Sequence, residues 1–185
     1  MRKFILLLCM SLMMVFAHIP FTGTAEAARV AVVPIQFNEK QVERTSDFTS
    51  YYWDIMIEMF KYPEYDLLDE EAVNNVLPET GLSSFDQATL KDIVNKTDSE
   101  IVVAMRLNSV TTDDDSFAYE PIAKVFVTGE YASYNRLTDK YYLKKFNLRE
   151  EVEPELLFKV DYAQRMFAAN LRRCIRKTAD MKSKK

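Results

Sequence analysis

The chain has 185 residues, with 28 acidic against 24 basic side chains and a net charge of −4, a balance that argues against a general nucleic-acid binder. Its one histidine is His18, its cysteines are Cys9 and Cys174, and it holds three glycines. Histidine general bases, Ser-His and Cys-His pairs, histidine or thiolate metal sites, CxxC redox pairs and Gly-rich phosphate loops therefore lack their residues in the body of the chain.

The opening segment reads as an export signal. Arg2 and Lys3 form a short positive region, Phe4–Ala17 is apolar, and Ala25-Glu26-Ala27 offers a small-residue cleavage site. Residues 1–27 are expected to be removed, leaving Ala28 first and no transmembrane segment. His18 and Pro20 stop the apolar run short of a comfortable span. A remaining chain of about 158 residues buries roughly 70% of its unfolded surface, enough for one core without disulfides. Cys174, alone after cleavage, falls in line with Phe167 and Leu171 and is expected to be buried.

Arg29–Phe37 (RVAVVPIQF) is a near-continuous apolar run, the pattern of a strand covered on both faces. Pro34 lacks a ladder donor and is expected to make the strand bulge or leave the sheet. Thr45, Ser46 and Asp47 offer caps for a helix through Tyr62, with Phe48, Tyr52, Ile55 and Met59 at helical spacing, Tyr51 and Met56 broadening the stripe, and Pro63 as the stop. Tyr65–Leu68 is a short strand. Asp69 precedes a helix that Pro78 and Gly81 end. Ser84 and Gln87 form a capping box for a third helix that turns Leu90, Ile93 and Val94 to the core.

Glu100–Val110, with Ile101, Val102, Val103 and Ala104, reads as a central strand. Thr111–Ser116 (TTDDDS) reads as a polar loop. Ile122–Tyr134 alternates as a half-exposed strand, Asn135–Lys140 is a turn, and Tyr141–Leu148 returns antiparallel. Pro154 precedes a long helix from Glu155 to about Ala179, buried through Leu156, Val160, Ala163, Phe167, Leu171 and Cys174. The sum is one α/β domain over residues 28–180. Its mixed sheet is β-α-β-α-α-β plus an antiparallel β-hairpin, with helices packed on it, a long C-terminal helix, and a disordered basic tail at 181–185.

The runs RVAVVPIQF, YPEYDLLDEEAVNNVLPETGL and DSEIVVAMRL, in that order, resemble the α/β domain of exported bacterial envelope proteins of the TolB N-terminal and CsgG-like type. Val30–Phe37, Tyr65–Leu82, Ser99–Leu107 and Leu137–Tyr141 carry the likeness. It implies an accessory or assembly domain in the periplasm or outside the cell. Ile122–Leu148 is too charged on its outward face for a membrane-inserted pore hairpin.

Other motifs point to simpler uses. Leu77-Pro78-Glu79-Thr80-Gly81 spells a sortase signal, yet about a hundred patterned residues follow it, and Pro78 and Gly81 suit a helix end. Asp113, Asp114 and Asp115 lack the spacing of a calcium loop. Asn95-Lys96-Thr97 is read as a chance sequon. Among Glu70, Glu71, Glu150 and Glu151 no spacing selects a glycosidase pair. No catalytic residue, metal or cofactor is expected. Half-exposed aromatics suit a binding surface, and Tyr131, Tyr134, Tyr141 and Tyr142 on the hairpin are the candidate protein-interaction face. Lys159–Lys185 carries nine basic residues against two aspartates, which first suits a solvated helix end and its dipole; the alternative use of this basic C-terminal end is peripheral contact with an anionic surface. The expected function is a non-catalytic binding or assembly module with an envelope protein partner or self-association. The alternatives are a subunit of a homo-oligomeric secretion-associated ring and a carboxylate-only envelope hydrolase.

Overall fold

The structure is a computed structural model that describes residues 26–38, 40–115, 122–152 and 159–178. The expected signal up to Ala25, Ser116, Pro154, Glu155–Phe158 of the expected last helix and the 181–185 tail lie outside these residues.

Strand β1 (Ala28–Val32) starts the sheet, and Val30, Ala31 and Val32 are buried on both faces. The ladder breaks at Pro34, as its missing N–H requires, and resumes as β2 (Gln36–Phe37). At the break the Tyr52 hydroxyl donates to the Val33 carbonyl at 2.9 Å. Helix α1 (Thr45–Met59) buries Phe48, Tyr52, Ile55 and Met56, each worth about 1.5–3 kcal/mol of transfer free energy. Tyr51, expected to widen that stripe, is exposed instead. Helix α1 is capped by Arg44 in a left-handed conformation (φ 52°) with no side-chain cap bond, not by Thr45, Ser46 or Asp47. Those residues lie inside the helix, where Thr49 and Ser50 donate back to the Thr45 and Ser46 carbonyls.

Strand β3 (Tyr65–Leu67) follows, then helix α2 (Glu70–Asn74). This helix stops earlier than Pro78 suggests, and the Leu77–Gly81 motif forms a turn. The Gly81 N–H donates to the Pro78 carbonyl at 2.9 Å, and Gly81 sits at φ 76° against the Gln36 side chain. Helix α3 (Gln87–Thr97) is capped by Asp86, whose carboxylate accepts from the Thr89 N–H at 2.8 Å. Ser84 only braces that cap, its hydroxyl donating to Asp86 at 2.8 Å, so the expected Ser84–Gln87 capping box does not form.

Strands β4 (Ile101–Asp115), β5 (Ile122–Asn135) and β6 (Lys140–Val152) form a long antiparallel meander. Thr111–Asp115 is therefore strand, not loop. Asp113 pairs with Lys124 and Thr111 with Phe126, and cross-strand pairing of this kind holds even a polar segment extended. The sheet order is β3-β1-β4-β5-β6, with β2 beside β4. Strands β1, β2 and β3 pair in parallel and the meander antiparallel. This is the mixed α/β architecture expected from the sequence.

Helix α4 (Lys159–Thr178) closes one face together with α1, their contact centred on an edge-to-face Phe48–Phe167 pair at 5.6 Å. That core runs from Val30 and Ile101 to Ala123, Val125, Val127 and Val152. Ala163, Phe167, Leu171 and Cys174 are buried in it, as expected. Helices α2 and α3 cover the opposite face, and the core beneath them takes from the meander Val102, Ala104, Ala132, Tyr134 and Tyr141. The first core extends along the whole meander and the second along half of it.

Candidate interaction surface

The four hairpin tyrosines do not share a face. Antiparallel pairing sets Tyr134 against Tyr141 and Tyr131 against Lys144, and alternation then sends Tyr131 and Tyr142 toward α4 and Tyr134 and Tyr141 toward α3. Tyr131 is fully buried and Tyr134 nearly so, while Tyr141 and Tyr142 are half-buried. Their hydroxyls are engaged inside the domain: Tyr141 donates to the Phe85 carbonyl at 2.7 Å and Tyr134 to Asp139 at 2.9 Å. Burial pushes the Tyr131 phenol well above its ordinary range. A period-2 reading can divide these residues between faces, but which face a helix covers depends on contacts distant in sequence.

Beyond Ala104 and Ala132 no described helix covers the face that α3 packs on. Its residues, read across the strands, are Ser109, Thr128 and Asn147; then Thr111, Phe126 and Arg149; then Asp113, Lys124 and Glu151. All nine are half-buried or exposed. On the same strands Val125 and Val127, which face α4, are buried. The bare face is organised by contacts among its own side chains. The Ser109 and Thr128 hydroxyls are 2.6 Å apart, Arg149 donates to Glu151 at 2.7 Å, and its guanidinium lies 5.9 Å from the Phe126 ring centre. Two cations (Lys124, Arg149) and two acids (Asp113, Glu151) interleave along it, a mixed polar surface without a dominant sign. Exposed Leu143 lies at its edge on β6. Among the described residues strand β6 pairs only with β5, so this face ends at the outer edge of β6.

Where covered and bare halves meet, Arg106 acts as a fastener. Its guanidinium donates to Gln36 at 2.7 Å and to Glu130 at 2.9 Å, bonds the Leu82 carbonyl, and stacks 4.7 Å from the Phe85 ring centre. It ties β2, the loop before α3 and β5 at one point. A planar guanidinium with five donors suits this role, and a lysine does not.

The two carboxylate pairs weighed for hydrolysis, Glu70–Glu71 and Glu150–Glu151, are not brought together. Glu70 and Glu71 open α2, which packs on β1 and α3, while Glu151 lies opposite Lys124 and hence in line with Asp113. Ten residues of strand from Val103 to Asp113 span about 33 Å, far beyond the roughly 5–10 Å between paired carboxylates of a glycosidase. Among the described residues no three His, Cys, Asp or Glu side chains converge as a metal site. No described helix is long and apolar enough to cross a membrane.

No family model and no curated protein sequence matches the chain. Among solved structures it is similar to the hypothetical protein CT253 from Chlamydia trachomatis, with a TM-score of 0.43, 11% identity, and 83% of this chain and 94% of that one covered. Lipoprotein GNA1162 from Neisseria meningitidis gives 0.42, 13%, and 77% and 99%. The LpoB C-terminal domain from Escherichia coli gives 0.39, 10%, and 75% and 92%. Likenesses of this extent assign no activity, ligand or partner to the chain.

Proposed function

We infer that the chain is an exported, non-catalytic binding or assembly module of the bacterial cell envelope, periplasmic or secreted, and that the bare half of the sheet is the surface it offers a protein partner. One observation carries this reading. The meander continues well past the helices that cover its first half, with Ala123, Val125, Val127 and Val152 buried on one face and the described residues of the other left open. A sheet needs only one buried face for stability, so the extra strand length on the open side has a use beyond the core. Interleaved charges, hydroxyls and a central half-buried Phe126 give that surface the composition of a polar protein interface with an aromatic at its middle.

The test places a photo-crosslinking amino acid at Phe126 or Thr128, with Ser50 on α1 as control. A discrete adduct from both sheet positions, absent from Ser50 and removed by Arg149→Glu, is the expected result. Labelling equal at all three positions overturns the assignment. The free edge of β6 also favours a second reading, self-association into a ring, which light scattering decides. A mass of many subunits moves the interface to β6, and a monomer removes that reading.

A further inference from the structure

Charge is unevenly placed on this acidic chain. From Tyr162 to Thr178, helix α4 holds Arg165, Arg172, Arg173, Arg176 and Lys177 and no acid. Its last two turns lie beside the C-terminal end of α1, where Arg172 donates to Glu58 at 2.6 Å. Lys61 and Arg176 also act on that carboxylate, which the cations around it hold below its ordinary range, Arg172 first. On the other flank Lys177 lies 5.6 Å from the Tyr142 ring centre and Lys144 donates to Asn170 at 2.8 Å. Arg173, Arg176, Lys177 and Lys61 are exposed. The acids on the second half of the adjoining α1 and its following turn are Glu58, which Arg172 engages, and the flanking Asp54 and Glu64, Asp47 lying at the far end of the helix. The cations outnumber them.

Two apolar side chains stand out at this same end. Tyr62, directly after Lys61, is 82% exposed, and Ile57, directly before Glu58, is 59% exposed. Ile57 lies off the α1 core stripe of Phe48, Tyr52, Ile55 and Met56, and Tyr62 lies beyond the end of the helix. Cations beside exposed tyrosine and isoleucine match a bilayer interface, where phosphate headgroups lie just above an apolar phase. A soluble polyanion satisfies the charges but gives Ile57 and Tyr62 nothing to enter.

We propose that this end of the molecule, made by the last two turns of α4 and the turn between α1 and β3, docks on the anionic surface of a phospholipid bilayer. Arg173, Arg176, Lys177 and Lys61 meet the headgroup phosphates, and Ile57 and Tyr62 enter the interface. Helix α4 runs back along the meander, so the bare sheet half lies at the opposite end. From Asn135, which donates to the Thr178 carbonyl, to Lys124 there are eleven residues of strand, about 36 Å. Docked this way, the chain holds its open sheet away from the membrane. The inference goes beyond the partner-binding reading and shares with it only the expectation of export.

The experiment is co-sedimentation of the chain, purified from exporting cells, with vesicles of phosphatidylcholine alone or with about a third phosphatidylglycerol. Binding to the anionic vesicles only, lost at high salt, is expected. Each cation near the surface contributes about fivefold, so Arg176→Ser with Lys177→Ser should weaken binding roughly 25-fold. Ile57→Ser with Tyr62→Ser should weaken it severalfold at unchanged salt dependence. Equal binding to both vesicle types, binding to neither, or wild-type binding by the arginine–lysine variant overturns the proposal. So does equal competition by soluble polyphosphate with no effect of the Ile57 and Tyr62 changes, which marks a general polyanion surface. Arg149→Glu on the bare sheet should leave vesicle binding unchanged, so failure of the partner reading and failure of this one are read separately.

Discussion

Replacing Thr178 with valine tests how the end of α4 is held. The Thr178 hydroxyl lies 2.7 Å from the Tyr131 hydroxyl and 2.5 Å from that of Ser133, and donates to the Cys174 carbonyl at 3.2 Å. A hydroxyl has one proton and two acceptor sites. With its proton on Cys174, it accepts from both Tyr131 and Ser133, and all three residues are buried. Valine keeps the shape and removes both acceptor sites. Tyr131 and Ser133 are close enough to bond each other, which leaves one buried donor orphaned at a cost of about 1–3 kcal/mol. For a domain of this size that lowers Tm by roughly 3–10 °C. Thr178→Ser keeps the hydroxyl and gives up one buried methyl, about 1 kcal/mol. Because Tyr131→Phe removes one of the two donors, Thr178→Val should cost less in that background. Urea unfolding of the cycle is expected to show a coupling of about 1 kcal/mol, and hydrogen exchange should show loss of protection in the last turn of α4. Additivity within about 0.5 kcal/mol refutes the shared-acceptor argument.

Three further outcomes follow from the packing. Gly129→Ala drives a Cβ into the Arg106 carbonyl and the Phe146 ring; backbone cannot step aside, so a loss of about 1–3 kcal/mol is expected in urea unfolding, and wild-type stability contradicts the register. Glu58 has its folded pKa lowered chiefly by Arg172, so its stabilisation is complete above the ordinary value of 4.5 and is lost as pH falls through the folded value. Acid-unfolding curves of wild type and Glu58→Gln should therefore differ near neutrality and converge at low pH, and a gap that widens in acid reverses the sign. Cys174 is buried, and burial pushes its thiol up. It should resist a thiol reagent in the native chain and react fully in denaturant, and rapid native labelling contradicts its placement.

The parallel strands and the helices were legible because their signals are local. RVAVV and IVVAM are apolar on both faces, and Phe48, Tyr52 and Ile55 recur at helical spacing. Pro34 broke the ladder where its missing N–H said it must. The misread parts depend on partners elsewhere in the chain. Asp113–Asp115 carries no strand propensity, yet it pairs with Ile122–Lys124 and extends β4. The cap of α1 fell to Arg44 although Thr45, Ser46 and Asp47 are better cap residues. For the candidate surface, alternation could divide the tyrosines between two faces. It could not show that the cover on the α3 side stops at Ala104 and Ala132, leaving the described rows from Ser109 to Asp113 bare. Coverage is set by helix length and position, and neither is written in the strand.

That division makes neighbouring residues on β5 a direct test of the proposed role. Val127 faces α4 and is fully buried, whereas Thr128 faces outward on the bare half. Val127→Asn puts an amide with no partner into the core, at a cost of about 2–5 kcal/mol. Thr128→Arg changes an open, polar position. Even without the hydroxyl that faces Ser109, its cost should stay within about 1 kcal/mol. If the bare half is a docking surface, Thr128→Arg abolishes the photo-adduct formed at Phe126 while the chain unfolds near its wild-type temperature. Val127→Asn does the reverse at permissive temperature: a weakened fold that still forms the adduct. Should Thr128→Arg unfold the domain, that face is packed rather than open. An adduct that survives Thr128→Arg in a stable chain means the partner reads another surface, and the free edge of β6 becomes the next place to probe.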